Sequence, residues 1–313
     1  MRSNAVAPFD VFYIANAISS RRPHAGRIVF EGRWIGARGE PAVIAEGLRF
    51  DVEAPGAQRL DVLMVPGLQH AGTADLAPLL AGLAPERQAV REYARSGRLL
   101  AASCSGTCLL AEAGLLDGRR CTTSWWLGPH FRRAYPRALL DAEQMVARDG
   151  ALLTSGSVTS YLDLALWLVG HFGGDELRQL TAKVLAADAG RASQAPYVTS
   201  AMGDADPTIE RARRWLNRRL DQPWTMAELA RHCDASERTL LRRFRDALGL
   251  GPLQYAQQLR MERAKALLES STLSVEQIAP RCGYEDAAAF SKVFKQWVRM
   301  TPRVYRQRFG LRR

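Results

Sequence analysis

One cysteine occupies a position at which a reactive thiol is expected. The residues from Leu99 to Asp117 are typical of a buried strand, a sharp turn and a helix, and Cys104 falls at the turn. A thiol at this place faces the positive end of a helix dipole, which favours its reactive form. The pattern therefore predicts a nucleophile elbow with sulfur in place of a hydroxyl, suited to covalent catalysis or to sensing a ligand.

The chain around this elbow resembles the PfpI-like branch of the class I glutamine-amidotransferase-like superfamily. The resemblance spans about residues 4 to 186 and is carried by five segments: Pro8–Phe12, Val62–Gly67, Cys104–Gly106, Leu152–Gly156 and Asp163–Leu166. It implies an α/β domain with a flavodoxin-like parallel sheet and helices on both faces. It also implies that a small molecule binds beside the elbow, with four candidate contacts: Gly67, Cys104, Ser105 and Ser124.

Catalysis by a thiol needs a base, and the positions at which the superfamily carries one are changed here. Ser105 follows the cysteine, Ser124 stands where many relatives have histidine, and Asn4 falls about where they have a carboxylate. The nearest other histidines in sequence, His70 and His130, lie outside these motif positions. Because a hydroxyl cannot act as the base, we expect no catalytic residue and a domain that senses an effector without turning it over.

Two alternatives remain open for this domain. One makes it a thiol amidase or hydrolase fused to a second domain, which turnover of a small amide would reveal. The other makes it a dimerisation platform, whose melting temperature no small molecule would change. The resemblance suggests a small nitrogenous metabolite as the effector, and we expect neither a cofactor nor a metal.

The last third of the chain contains an internal repeat. The segment Met226–Cys233 aligns with Val275–Cys282 at an offset of 49 positions, and beyond the following turn the offset becomes 50. Each copy is typical of a short helix, a tight turn and a second helix, with a small alanine where the two helices must approach closely. We therefore predict two helix-turn-helix subdomains, at 226–248 and 275–297.

The second helix of each subdomain is the candidate recognition helix, which would enter the major groove of double-stranded DNA. Ser236 and Asp286 are suitable N-caps for these helices. Off the apolar stripes lie the predicted DNA contacts: Arg238, Thr239, Arg242 and Arg243 in the first helix, and Ala287, Ala288, Ser291 and Lys292 in the second. Since arginine binds guanine edges and phosphates alike, we expect most sequence specificity from the first helix.

The net charge of the chain is concentrated in the same region. Residues 207–313 contain 22 of the 43 basic residues and 11 of the 32 acidic ones, a balance of +11. The remainder of the chain holds 21 residues of each sign and is neutral. A basic module joined to a neutral one indicates a polyanionic partner for the first only. A plain amphipathic bundle would explain one such helix pair, but not the repeat and the charge together.

The repeat region resembles the AraC/XylS family of bacterial transcription regulators. The resemblance covers about Thr208 to Phe309 and lies in Gly283-Tyr284, Phe290–Lys295 and Thr301–Arg306. It implies two helix-turn-helix subdomains that are bridged by one long helix, expected at Pro252–Ser270, and that meet successive major-groove faces. Together with the elbow domain, it implies a transcriptional activator that forms a homodimer and contacts RNA polymerase.

Shifts in composition divide the chain into three parts. We assign 1–188 to the elbow domain, 189–206 to a linker of small and polar residues, and 207–313 to the DNA-binding domain. In the first part, five apolar runs are typical of strands: Arg27–Phe30, Leu48–Ala54, Val62–Pro66, Leu99–Ala102 and Leu152–Ser155. Four segments have helical spacing: Pro8–Ser20, Pro85–Gly97, Gly106–Gly114 and Ser157–Phe172.

The start of the chain, its apolar runs and its cysteines indicate what kind of protein this is. Relatives open with a strand before the segment matched by Ala7–Asp10, so we expect the first strand of the sheet to be missing. Either the true start lies upstream of Met1, which we favour, or the domain is compromised. No apolar run reaches the ~18–20 residues that span a bilayer, and no signal peptide is evident. Five scattered cysteines predict neither a disulfide framework nor a zinc site. We expect a cytoplasmic protein without a membrane partner.

Overall fold

The structure, a computed structural model, describes residues 2–23, 26–38, 41–44, 48–55, 59–188, 190–199 and 206–310. The chain forms two compact units, Met1–Gln194 and Ala195–Arg313, called here the N-terminal and the C-terminal unit. Their junction falls inside the segment 189–206 that the sequence predicts as a linker. Among the helices of these described ranges, none combines the length and the hydropathy that a membrane-spanning helix needs.

The N-terminal unit alternates helices with strands. Its α-helices are α1 (Arg2–Ser19), α2 (Thr73–Ala81), α3 (Ala84–Ala94), α4 (Gly106–Glu112), α5 (Gly128–Ala134), α6 (Tyr161–Gly173) and α7 (Asp175–Val184). Its strands are β1 (Ala42–Ile44), β2 (Leu48–Phe50), β3 (Val62–Val65), β4 (Leu99–Ser103), β5 (Arg120–Cys121), β6 (Leu139–Leu140), β7 (Val146–Asp149) and β8 (Leu152–Ser155). Short 3-10 turns lie at Trp125–Leu127 and Val158–Ser160. The predicted α/β class is confirmed.

A largely parallel sheet lies at the centre of this unit, with the strand order β3-β4-β8-β7. The first three strands are parallel, with Val62 opposite Leu99 and Leu100 opposite Leu152. β7 is an antiparallel edge strand that pairs with β8. The other strands form two separate pairs, β1 with β2 and β5 with β6. The parallel core agrees with the sequence analysis, whereas the sequence did not indicate the antiparallel edge.

Strand β4 is buried on both faces. Leu100 and Ala102 pack into a cluster with residues of helices α2 to α5, while Leu99 and Ala101 pack with Leu164 of α6. Because successive side chains of a strand point to opposite faces, helices must cover both sides of the sheet. This double burial fixes the end of β4, where the elbow begins.

One predicted strand is wrong. The segment Arg27–Phe30 forms no sheet ladder in the structure. Side chains of α1 satisfy its backbone instead: Ser19 Oγ accepts from the Ile28 amide at 2.9 Å, and the Asn16 carboxamide pairs with both backbone groups of Phe30 at 2.8 Å. Polar side chains can replace a strand partner in this way, and apolar periodicity does not reveal it.

Other predicted elements are present with shifted bounds. The strand predicted at Leu48–Ala54 ends at Phe50 and lies outside the central sheet. The helix predicted from Pro8 begins already at Arg2, which places Asn4 on the helix.

In its described residues, 195–199 and 206–310, the C-terminal unit consists of helices joined by turns and short loops, without a strand. After a 3-10 turn at Ala195–Tyr197, its helices are α8 (Pro207–Asn217), α9 (Met226–His232), α10 (Glu237–Leu248), α11 (Pro252–Ser270), α12 (Val275–Arg281), α13 (Ala287–Val298) and α14 (Pro302–Phe309). The all-α class predicted for this part is confirmed.

The sequence repeat is also a repeat of structure. Helices α9 and α12 have seven residues each, and α10 and α13 have twelve. The Ser236 hydroxyl accepts from the Thr239 amide at 3.1 Å, and the Asp286 carboxylate accepts from the Ala289 amide at 2.7 Å. Both predicted N-caps are therefore confirmed.

Helix α11 belongs to the cores of both helix-turn-helix subdomains. Its first half contributes Tyr255 and Leu259 to one core, and its second half contributes Met261 and Leu268 to the other. The helix has the bounds that the sequence predicts, and its 19 residues span roughly 28 Å at 1.5 Å per residue. One continuous helix therefore sets the spacing of the two subdomains.

Equivalent residues of the two turns adopt a left-handed backbone conformation. Asp234 has φ 50° and Gly283 has φ 78°. Aspartate tolerates the left-handed conformation, but at Gly283 a side chain would also lack space. A Cβ on Gly283 would collide with the Leu220 carbonyl oxygen. Glycine is therefore required in the second turn for both conformation and space.

We predict that Gly283→Ala destabilises the C-terminal unit by about 1–3 kcal/mol, because the alanine must stay left-handed and its methyl group must displace the Leu220 carbonyl. Gly97→Ala is the matched control, since Gly97 has φ 70° and open space at its Cβ position. Urea unfolding followed by tryptophan fluorescence should give the larger loss for Gly283→Ala. Equal losses in the two variants would contradict the steric role.

Candidate DNA-binding surface and elbow site

Two arginines of α10 face away from the core of the first subdomain. At about 100° per residue, Arg238 and Arg242 lie opposite the stripe formed by Leu240 and Phe244. Both arginines are exposed, whereas the two stripe residues are fully buried. Because they are one helical turn apart, the two guanidinium groups project side by side, as contacts to neighbouring bases or phosphates require.

Arg243 lies at the side of α10 and is engaged within the protein. Its guanidinium donates to the Thr208 hydroxyl at 2.5 Å and lies 3.6 Å from the Asp206 carboxylate, which caps α8. Arg245, which the sequence analysis did not select, is exposed. Counting helical turns identifies it, because it follows Arg238 by seven residues, about two turns, and so shares its face.

Helix α13 presents a partly different set of residues from the predicted one. Ala288 and Lys292 are exposed, as expected of outward positions. Ala287 and Ser291 are half-buried because they lie nearer the apolar stripe, and Thr239 of α10 is half-buried as well. Further exposed residues of α13 that the sequence analysis did not select are Ala289, Lys295 and Gln296. That the predicted residues contact DNA stays a prediction.

The elbow predicted at the end of β4 is present. Cys104 connects β4 to α4 with φ 54°, a left-handed conformation that non-glycine residues rarely adopt. Neighbouring strands and loops hold it there: its amide donates to the Ser155 carbonyl at 2.9 Å, and its carbonyl accepts from the Thr123 hydroxyl at 2.8 Å. The surrounding hydrogen bonds therefore stabilise a conformation that costs free energy by itself.

The thiol of Cys104 contacts a hydroxyl where a thiol enzyme needs a base. Its Sγ lies 2.9 Å from the Ser124 Oγ, and that hydroxyl is also 3.3 Å from the Gly156 carbonyl oxygen. A serine hydroxyl has one proton to donate, and the carbonyl can only accept. The arrangement therefore leaves the thiol as donor to Ser124, which cannot accept its proton as a histidine would.

The wall of the elbow opposite Ser124 is formed by Asn4 and Gly67. The Asn4 side chain donates to the Val158 carbonyl at 2.7 Å and accepts from the Ser103 hydroxyl at 2.7 Å. A Cβ on Gly67 would lie 3.0 Å from Asn4 Oδ1 and 3.1 Å from Cys104 Cβ. Glycine is therefore needed for the close packing of this wall.

The four predicted ligand contacts are all buried. Gly67, Cys104 and Ser124 are brought together, whereas the Ser105 hydroxyl donates to the Leu68 carbonyl at 3.0 Å. Cys104 is 2% exposed, and Ser105 and Ser124 are completely buried. A ligand could reach the thiol only after these side chains separate. Their contact with a ligand remains a prediction.

The other four cysteines are buried in apolar surroundings. Burial raises the pKa of the Cys121 thiol to about 12 and that of Cys282 to about 11, although Arg263 and Arg260 oppose the second shift. Burial also raises the pKa of Cys108 and Cys233. These thiols are therefore packing residues rather than nucleophiles.

Comparisons with known proteins agree with both halves of this description. Family models match a helix-turn-helix domain over residues 229–308 and the DJ-1/PfpI family over residues 15–170. The HTH-type transcriptional regulator CdhR of Pseudomonas aeruginosa is 30% identical over 84% of this chain and 78% of its own length. The HTH-type transcriptional regulator GbdR of the same species is 27% identical over 96% of this chain and 82% of its own.

Among solved structures, a transcriptional regulator with an AraC-type DNA-binding domain from Chromobacterium violaceum is 29% identical, with a TM-score of 0.32 over 33% of this chain and 91% of that one. The two family models and the similarity to CdhR show that the chain belongs to the helix-turn-helix transcriptional regulators, and that it joins a DJ-1/PfpI domain to an AraC-type DNA-binding domain.

We predict that Arg238→Ala and Arg242→Ala each cost roughly 1–3 kcal/mol of affinity for a duplex selected from a random library, and that they relax base preference. Lys292→Ala should instead weaken binding evenly across sequences, as a phosphate contact does. Arg218→Ala removes an exposed charge from the end of α8 and is the control. Fluorescence anisotropy with selected and scrambled duplexes measures both effects. Unchanged affinity in both α10 variants would mean that another face of α10 contacts the bases.

We predict that Cys104 is the first thiol of the folded protein to be alkylated, although slowly, because it alone stands at an elbow while burial raises the pKa of the other four. Time-resolved iodoacetamide labelling with mass-spectrometric readout measures the order. Denatured protein is the control, since all five thiols should then react. Labelling of Cys233 or Cys282 ahead of Cys104 would contradict the assignment.

Proposed function

We propose that this regulator activates transcription from a specific promoter in response to a small metabolite, which its elbow domain binds without turning over. The observation that carries the proposal is the hydrogen bond between Cys104 and Ser124. The site has the elbow of a thiol enzyme, but a hydroxyl group stands beside the thiol where such an enzyme needs a base. A site of this kind can bind a ligand, but it lacks the group that would activate the thiol.

Sequence-specific binding is assigned mainly to α10. Arg238 and Arg242 project from its exposed face and have no ion-pair partner among the described residues, so their donors are available for bases and phosphates. α13, with Lys292 as its predicted cation, is assigned mainly to phosphate contacts in the next major groove. Binding as a homodimer and contact with RNA polymerase are part of the same proposal.

The effector can be sought without knowing its identity. A thermal-shift screen of small nitrogenous metabolites should find one that raises the melting temperature of the full chain, because a ligand that binds only the folded state stabilises it. Each hit is then tested for its effect on affinity for the selected duplex. Stabilisation without any change in DNA binding or in transcription would remove the regulatory part of the proposal.

A thiol amidase is the second candidate, favoured by the left-handed Cys104 at the elbow. Turnover of small amides by the purified chain, abolished in Cys104→Ala, would establish this candidate. In the proposed regulator, Cys104→Ala leaves DNA affinity unchanged and alters only the response to the effector.

We predict that the segment 195–313 binds DNA by itself, with an affinity that falls steeply as salt rises, because its 22 basic and 13 acidic residues give it +9 of the net charge of +11. The segment 1–194 is the matched partner and should not bind. Anisotropy titrations of the two segments at several salt concentrations measure this. Equal affinities of the two segments would contradict the division of function.

A further inference from the structure

Gln194, the last residue of the N-terminal unit, is the most heavily hydrogen-bonded side chain near the elbow. It is completely buried. Its Nε2 lies 2.9 Å from the Thr123 carbonyl and 3.0 Å from the carbonyls of Ala142 and Gln144. Because an amide nitrogen has only two protons for these three acceptors, any displacement of the surrounding loops changes its bonding. The Gln194 side chain is thus held by the loops around the elbow.

This carboxamide is linked to Cys104 through two short routes. Thr123 accepts from Gln194 with its carbonyl and donates to the Cys104 carbonyl with its hydroxyl. Gly156, whose carbonyl accepts from Ser124, lies so close to Gln194 that a Cβ on the glycine would overlap the carboxamide. Separation of Cys104 from Ser124, which ligand entry requires, therefore disturbs the environment of Gln194.

The residues just before Gln194 are also fixed to the N-terminal unit. Arg191 forms an ion pair with Asp163 of α6, and its guanidinium donates to Thr159 as well. The amide of Gln194 donates to the Glu143 carbonyl at 2.7 Å. Backbone and side chains thus hold this stretch at several points.

The residues just after Gln194 are fixed to the C-terminal unit. The Nζ of Lys265, on α11, donates to the carbonyls of Ala195 and Val198 at 3.1 and 3.0 Å, and Lys265 is only 8% exposed. Burial lowers its pKa to about 8, against the opposing effect of Glu262 and Glu269, so the amine is still a charged donor at neutral pH. The ring of Tyr197 packs edge-on against Phe309 at 5.8 Å.

Only one peptide bond separates the two sets of contacts. Gln194 belongs to the first set and Ala195 to the second, and consecutive Cα atoms are about 3.8 Å apart. A linker of several free residues would absorb a displacement at one end, whereas a single peptide bond cannot. Movement of Gln194 must therefore change the position of Ala195 or break its hydrogen bond to Lys265.

We propose that residues 191–198, here called the joining segment, transmit the state of the elbow to the DNA-binding helices: Gln194 follows the loops around Cys104, and Lys265 passes its displacement to α11. The proposal rests on the sensing function proposed above. Since α11 contributes to the cores of both helix-turn-helix subdomains, a shift of this helix carries α10 and α13 with it as a pair. The joining segment is thus a regulatory element that acts without contacting either DNA or effector.

The test uses reciprocity, because a segment that carries a signal from the elbow to DNA also carries one from DNA to the elbow. Hydrogen-exchange mass spectrometry of the full chain is recorded with and without a duplex selected from a random library. In the wild type, the duplex should slow exchange in peptides covering 120–127 and 191–199 by about five-fold or more. Gln194→Met and Lys265→Met should abolish the slowing at 120–127 while the affinity for the duplex stays within about two-fold of wild type.

Gln179→Met and Lys183→Met are the matched controls, because both residues are exposed on α7, and they should keep the slowing. If Gln194→Met fails to fold, Lys265→Met decides alone, since it alters the other unit. Slowing at 120–127 that survives Lys265→Met, or that is absent in DNA-bound wild type, overturns the inference. The affinity measured in the same samples separates the two failures: loss of wild-type DNA binding contradicts the proposed function, whereas binding without transmission contradicts only this inference.

Discussion

The burial of one continuous helix in two hydrophobic cores is the constraint on which the DNA-binding unit depends. Tyr255 and Leu259 of α11 lie in the core beneath α10, and Met261 and Leu268 lie in the core beneath α13. Neither subdomain can move along the helix without exposing apolar side chains that are worth about 1.5–3 kcal/mol each when buried. Helices α10 and α13 therefore form a pair with fixed spacing. If both contact DNA as proposed, the second contact is intramolecular, and it adds affinity without a new loss of translational freedom.

In the N-terminal unit, the turn between β4 and α4 keeps a costly backbone conformation. The left-handed Cys104 is stabilised by the Ser155 carbonyl and the Thr123 hydroxyl, neither of which is a catalytic group. Ser124 gives the thiol a hydrogen-bond partner that is not a base. In the proposed regulator, the strand–turn–helix that would position a nucleophile serves as a closed binding site instead. The proposal thus separates the geometry of the elbow from thiol chemistry.

Much of this architecture could be predicted from the sequence because it depends on local patterns. The N-caps Ser236 and Asp286 and the bounds of α11 follow from residues within a few positions of each other. The segment Arg27–Phe30 could not be assigned correctly, since its backbone is satisfied by side chains of α1 rather than by a strand. The involvement of Arg243 with Asp206 and Thr208 was equally inaccessible, because those residues are more than thirty positions away in sequence. Local signals predict elements, whereas the availability of a side chain for DNA depends on contacts across the fold.

The contacts of the joining segment could not be predicted from local sequence signals either. Small and polar residues around Gln194 are typical of a flexible linker, and a glutamine in such a stretch gives no sign of burial. Its partners at Thr123, Ala142 and Gln144 lie at least fifty positions earlier, and Lys265 lies about seventy positions after Ala195. Composition does not show the polar contacts of Gln194 and Lys265, which hold this segment together with the packing of Tyr197 on Phe309. Buried amide and ammonium groups carry a large cost when their partners are lost, so a few such contacts can fix a segment whose composition is typical of a linker. A segment that is typical of a flexible linker by its composition can therefore be held firmly on both sides, and it then leaves few free residues to absorb a movement of either end.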